Sequence, residues 1–295
     1  MDISTGSTLF VNGLALGAIL FLLASGLTMI LGLLNVVNFA QGAFFLVGGY
    51  VAVETIGKSN ILLGFLVAIV AVGALGFVVE RLFLRRYYRE TERTSHLRQL
   101  LLTLGVSMIV TEMIEIVVGP DLRSIGDLGF LKDTVGIFGG YVEVYRLFLI
   151  ALGITVFLTL HIVLTKTRIG LIVRAGVQDP EMVQSLGINV FRAFSVIFVV
   201  GSAMAGLAGA AALYYYNGIS PTLGDEHLIL AFGIVVVGGL GSYTGSAVGA
   251  ILVGLLTSFI SYYWLPGQSF VVLGLLAIVL LIRPQGLFGR SEVRV

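Results

Sequence analysis

The stretch LFVNGLALGAILFLLASGLTMILGLL, residues 9–34, decides the fold. It carries no charged side chain, and its apolar residues run on without strand-like alternation. About 20 consecutive apolar residues cross the hydrocarbon core of a bilayer as an α-helix. A strand of a membrane barrel instead alternates apolar and polar positions over roughly ten residues. Lipid offers no partner for backbone N–H and C=O groups, so only helices and closed barrels span it. Residues 147–164 form a second long apolar run. The helix is the structure that fits both.

Composition extends this to the whole chain. Of 295 residues 58% are hydrophobic and 11% charged, against about a quarter charged in soluble domains. Residues 1–295 therefore read as one all-α transmembrane domain embedded in lipid. Cysteine is absent, which removes disulfides and thiolate metal sites. A net charge of +1 argues against a nucleic-acid partner. Residues 1–7 contain no Lys or Arg, and the apolar run behind them exceeds a signal-peptide core, so a retained first span is expected.

Apolar runs place helices near 9–33, 36–55, 61–80, 100–118, 146–165, 193–216, 228–243, 246–264 and 269–283. Glycine and polar residues interrupt the second, seventh and eighth, so eight or nine crossings are expected, with broken or re-entrant segments near 35–50 and 236–249. Thirteen of the 17 Lys and Arg fall in residues 81–98, 166–192 and the tail from Arg283. Positive loops stay cytoplasmic, which puts the C-terminus inside. The N-terminus and a loop at about 119–145 then lie outside, and an odd number of crossings follows unless one segment re-enters.

Catalytic motifs are missing. His96, His161 and His227 are far apart and read as helix-end or loop residues. Gly57-Lys58-Ser59 ends like a phosphate-binding loop, but the first glycine of that motif would fall on Ala52. Neither a cofactor, a metal nor a catalytic residue is expected on this chain.

A cytoplasmic loop at about 174–192 holds a different signal. Asp179 suits an N-cap, Pro180 the first helical position and Glu181 the positive end of a helix dipole. Gly187 suits the left-handed terminator. The result is a helix of about two turns, too short to stand alone, with Met182, Val183 and Leu186 exposed. It either docks in a partner's groove or rests on the lipid surface.

Asn35, Asn38 and Gln41 recur every third residue around Phe39 and Gly42, roughly on one helix face. Amides in a bilayer need partners, so they bond neighbouring helices or line a pathway or gate. Gly238, Gly239, Gly241 and Ser242 interrupt a later segment, and Gly241, Gly245 and Gly249 follow close-packing spacing. The two interruptions are weakly alike, a pattern that in transporters points to a midplane site; packing and ligand contact both remain open. Glu112 and Glu115 lie near the outer end of the fourth helix, with an interfacial role, a ligand vestibule and a proton relay as alternatives.

The segments NGLALG (12–17), GLTMILG (26–32), VNFAQG (37–42), GGY (48–50), RAGVQD (174–179), LGIN (186–189) and GGLGS (238–242) together resemble the LivH-type permease family of branched-chain amino-acid importers. They occur in family order across nearly the whole chain. Gln41 departs from the histidine that many members carry before this glycine, a position that bears on substrate choice.

The resemblance implies half of a translocation pathway in the bacterial inner membrane. Its implied partners are a LivM-like sister permease, two LivG- and LivF-like ATPases that use ATP and Mg, a periplasmic binding protein and membrane lipid. It further implies that Ala175, Asp179, Glu181, Met182, Leu186 and Gly187 couple to the ATPases. The cargo it implies is branched-chain or related hydrophobic amino acids, with urea, short amides or small aromatic acids as alternatives. An autonomous secondary transporter is the rival, and Glu112 and Glu115 are its candidate coupling residues.

Overall fold

A computed structural model describes residues 2–34, 36–56, 60–85, 92–124, 129–137, 139–178 and 180–289. In chain order the helices are α1 (Ile3–Leu34), α2 (Gln41–Ile56), α3 (Ile61–Val79), α4 (Glu92–Val118), α5 (Val144–Lys166), α6 (Arg168–Gln178), α7 (Pro180–Ser185), α8 (Val190–Tyr215), α9 (Thr222–Gly238), α10 (Tyr243–Tyr263) and α11 (Gln268–Ile282). A π-helical turn, Glu80–Leu84, extends α3. Every expected segment coincides with a helix. Among the described residues six are long and apolar enough to cross a membrane: α1, α3 with its π turn, α4 from Leu97, α5, α8 and α10.

The boundaries differ where polar residues sit at helix ends. The second helix starts at Gln41 rather than 36, because residues 36–40 form a turn. The seventh runs Thr222–Gly238, ending before the expected 243, and the second break is confined to 239–242. Asp225 lies in its first turn, where the dipole welcomes an acid; the charges at 225–226 mask the helix in a search for apolar runs. Side-chain caps set two other starts. Asn60 accepts from Leu63 N–H at 2.8 Å ahead of α3, and Asn189 accepts from Arg192 N–H at 3.2 Å ahead of α8.

Two elements have no counterpart in the sequence reading. The external loop contains an antiparallel hairpin of β1 (Thr134–Ile137) and β2 (Gly140–Glu143), seated on the first turns of α1. Helix α6 precedes α7, and its Gly176 packs near Val190 at the start of α8.

Helix α1 is the central post. It and α8 are buried over most of their length, while α4 and α5 are buried over little. Lipid tails are as apolar as leucine, so close backbone approach takes the place of the hydrophobic effect in holding such helices together. Along the antiparallel α1–α10 contact, a Cβ on Gly13 would come within 2.8 Å of Leu255 Cα, and one on Gly254 would overlap Gly17. Hydroxyls close both ends of that seam: Ser258 donates to Leu9 O at 2.7 Å, and Thr28 and Ser246 share a hydrogen bond. Gly48 meets the Gly206 backbone in the same way between α2 and α8. Both helix breaks, α6, α7 and the described tail lie at the end of the bundle that bears most of the described arginines; the hairpin lies at the opposite end, beside Arg146.

Candidate functional site

The first break is bridged by its own polar groups. Asn38 lies in the turn before α2, so it does not share a helix face with Gln41. Its Oδ1 accepts from Ala40 N–H at 3.1 Å, a local turn that lets the chain reverse. Its Nδ2 donates to Gln41 Oε1 at 3.2 Å, and Gln41 Nε2 donates to Gly201 O of α8 at 2.9 Å. Both amides are fully buried. A Cβ on Gly26 would fall 2.7 Å from Gln41 Nε2, so Gly26 makes the room the amide occupies. Thr103 of α4 completes the turn. Its hydroxyl accepts from Phe39 N–H at 3.2 Å and lies 3.2 Å from Val37 O and 3.1 Å from Leu100 O. Gly42 packs on α9, where a Cβ would approach Gly224 O to 2.7 Å. Asn35 lies outside the described residues.

The second break joins three parts of the chain. Gly239 and Gly241 have φ of +102° and +79°, values that favour glycine. Ser242 Oγ then caps α10 by accepting from Gly245 N–H at 3.1 Å. Gly241 lies against Gly32 so closely that Gly32 has no room for a Cβ. The tail returns here as well: Leu287 N–H donates to Val237 O at 2.8 Å and Phe288 N–H to Gly238 O at 3.0 Å, satisfying carbonyls at the end of α9. Phe39 of the first break meets Phe232 of α9 with ring centroids 5.1 Å apart. The two breaks therefore occupy one region at the arginine-bearing end.

The short helix of the cytoplasmic loop forms as α7. Gly187 has φ +81°, its N–H donates to Gln184 O at 2.9 Å, and Ile188 N–H donates to Val183 O at 3.3 Å. That pair of bonds is the Schellman termination. Met182 and Leu186, one turn apart, are 63% and 71% exposed. Val183 is not exposed as expected; it turns inward and keeps only 5% of its surface. Ala175 lies partly buried in α6. Glu181 lies in α7, and Asp179 falls outside the described residues.

Three features escape the sequence reading. Glu80, in the π turn, is fully buried. It accepts from the Ser195 hydroxyl at Oε1, and its Oε2 has no hydrogen-bond partner. Glu80 is the last residue of the expected 61–80 segment, and no motif in the sequence marks it as buried. His227 lies inside α9, stacked on Phe45 at 4.8 Å. Its Nδ1 is 2.8 Å from Leu223 O and its Nε2 3.1 Å from Tyr216 Oη. A carbonyl cannot donate, so Nδ1 carries the proton and Nε2 accepts from the tyrosine. His161 lies within α5, with Nδ1 2.6 Å from Tyr243 Oη. Among the described residues no three of His, Asp or Glu gather to hold a metal.

Helix α4 rests chiefly on α2. It turns Thr103 and Ser107 inward and leaves Glu112 and Glu115 exposed.

The family described as branched-chain amino acid transport system, permease component, matches residues 9–281. The chain is 30% identical to the high-affinity branched-chain amino acid transport system permease protein LivH of Escherichia coli, over 96% of this chain and 95% of that protein. It is likewise 30% identical to the permease protein BraD of Pseudomonas aeruginosa, over 96% and 95% of the two chains. A probable branched-chain amino acid permease of Methanocaldococcus jannaschii is 29% identical over 92% of this chain and 89% of its own.

Proposed function

This chain belongs to the family of branched-chain amino acid transport permease components, and from that premise we propose that it forms half the translocation pathway of an ATP-driven importer. The observation that carries the reading is the uncovered pair Met182 and Leu186 on α7. A six-residue helix is marginal alone, yet this one is pinned between two spans and presents apolar side chains away from the bundle. Such a knob suits a groove on a cytoplasmic ATPase. The Gly187 terminator ends it, Ala175 lies in the helix before it, and the family resemblance assigns Asp179 and Glu181 to the same coupling role.

Helix α4 is the proposed pathway wall. Glu112 and Glu115 lie on its uncovered surface near the outer end, where a carboxylate facing hydrocarbon costs less than the roughly 2.5–3.5 kcal/mol of a helix centre but is still unfavourable. Water in a pathway, or a sister permease, removes that cost. The first break, with Asn38, Gln41 and Gly42, and the second, with Gly239, Gly241 and Ser242, then form a gate at the cytoplasmic end, to which the sequence also assigns Asn35.

The arginine-bearing end faces the cytoplasm and the N-terminus lies outside, with nine crossings in the bacterial inner membrane. Helices α2, α9 and α11, of 16, 17 and 15 residues, are about 22–26 Å long at 1.5 Å per residue. Helices α2 and α9 pack among longer helices, whereas α11 lies at the edge against α9 and α10.

The test is reconstitution with a sister permease, two ATPases and a periplasmic binding protein in vesicles. Labelled leucine is expected to enter only with ATP. Urea, short amides and small aromatic acids, run as competitors, decide the cargo. Uptake by this chain alone on an ion gradient would overturn the reading.

A further inference from the structure

Helices α1, α5 and α10 enclose a groove of about 430 Å3 with almost wholly apolar walls. Gly17, Gly153, Ile154, Phe157, Val248 and Ile251 are among the residues that line it. Polarity changes along its length toward the arginine-bearing end. One turn beyond Phe157 on α5, His161 and Tyr243 meet at 2.6 Å, with the Phe157 and Tyr243 rings 6.1 Å apart. Beyond them lie two exposed cations. Arg174 of α6 donates to Leu164 O. Lys166 ends α5 two residues past Leu164.

Hydrocarbon wall, then phenol and imidazole, then cations: this is the polarity profile of a phospholipid read from chain to phosphate. By helix rise His161 sits about 7.5 Å inside Lys166, and Ile154 about 18 Å inside it. That separates an ester level from a phosphate level and leaves the groove at acyl depth. Guanidinium and ammonium groups at the cytoplasmic surface attract anionic lipids. A partner helix is the other conceivable filling, but the uncovered surface of α5, with Ile154, Leu158 and Ile162 exposed, carries no acid such as those α4 presents.

We propose that this groove binds an anionic phospholipid, with one acyl chain lying between α1, α5 and α10 and its phosphate held by Arg174 and Lys166. The proposal goes beyond the transport reading, and its readout is retained lipid rather than uptake, so the two fail separately.

The test is native mass spectrometry of the full complex taken from nanodiscs of phosphatidylglycerol or of phosphatidylcholine. The wild type is expected to retain one phosphatidylglycerol per chain and no phosphatidylcholine. Ile154→Trp, which fills the groove from an exposed position, and the pair Arg174→Gln, Lys166→Gln are each expected to lower retention at least fivefold. Leu158→Trp, outside the groove on the same helix, is expected to retain the lipid. Equal retention of phosphatidylcholine overturns the proposal, as does equal loss in Leu158→Trp. Efficient cross-linking of Ile154→Cys to the sister permease would assign the groove to protein and overturn it too.

Discussion

Ser195 of α8 donates its hydroxyl proton to Glu80 Oε1 at 2.9 Å, joining the π-helical end of α3 to the first turns of α8 across 115 residues of sequence. Helix α8 begins where the α6–α7 loop ends, so this bond lies between the proposed coupling helix and α3. The carboxyl is buried and its second oxygen has no hydrogen-bond partner. Ser195 therefore supplies much of what compensates its burial.

Removing that donor strands the carboxyl. Ser195→Ala is expected to destabilise the chain by about 1–3 kcal/mol, the cost of a buried group left without its partner. Adding Glu80→Leu to Ser195→Ala should recover part of the loss, since the stranded group goes with it. Thermal unfolding of the single and double variants in detergent measures the coupling. Strictly additive losses would show the two residues to be energetically independent.

The Asn38–Gln41–Gly201 chain of hydrogen bonds makes a similar claim about the first break. Gln41→Ala leaves Gly201 O and the Asn38 amide without their partner in a buried site, and Asn38→Ala removes the turn that aims it. Each is expected to cost about 1–3 kcal/mol. Together they should cost clearly less than the sum, because both disable one network. A full sum in the double variant would contradict the network.

Thr103 gives a local test. Thr103→Val keeps the shape and removes the hydroxyl that bridges α4 to Phe39 and Val37. With its partner gone, the Phe39 amide is expected to exchange with solvent about tenfold faster, equivalent to about 1.4 kcal/mol of local opening. Amides in the middle of α8 should be unaffected. Unchanged exchange at Phe39 would mean that α4 does not hold the turn.

Much of this architecture was legible because lipid demands long apolar runs, and the family was legible in motifs such as VNFAQG and GGLGS. Helix ends were less so. Residues 36–40 read as the start of a helix because Val36, Val37, Phe39 and Ala40 are apolar, whereas the Asn38 side chain turns the backbone there. His227 read as lying before its helix because two acids precede it. Glu80 was hidden for a different reason. A residue at the end of an apolar run looks interfacial, and only the fold brings Ser195 across to it. Helix α7, which carries the buried Val183, packs against both α6 and α8, contacts that no local pattern encodes.

Helix α7 yields the most direct functional prediction. Met182→Ser and Leu186→Ser alter exposed side chains, so folding and assembly in the membrane should persist. If this pair fills an ATPase groove, uptake in reconstituted vesicles should fall at least tenfold while ATP hydrolysis continues. Gly187 tests the same helix through its backbone. At φ +81° a side chain with a Cβ is strained by roughly 1–2 kcal/mol, asparagine less than most. Nothing in the surrounding structure lies within 4 Å of a Cβ built there, so crowding does not compete with that strain. Transport should therefore decline in the order Gly187→Asn, Gly187→Ala, Gly187→Val, the β-branched residue being worst in a left-handed conformation. Normal uptake by Gly187→Val and by the two serine variants would remove α7 from the coupling path. Loss of membrane insertion in the serine variants would instead mean that Met182 and Leu186 stabilise the chain itself.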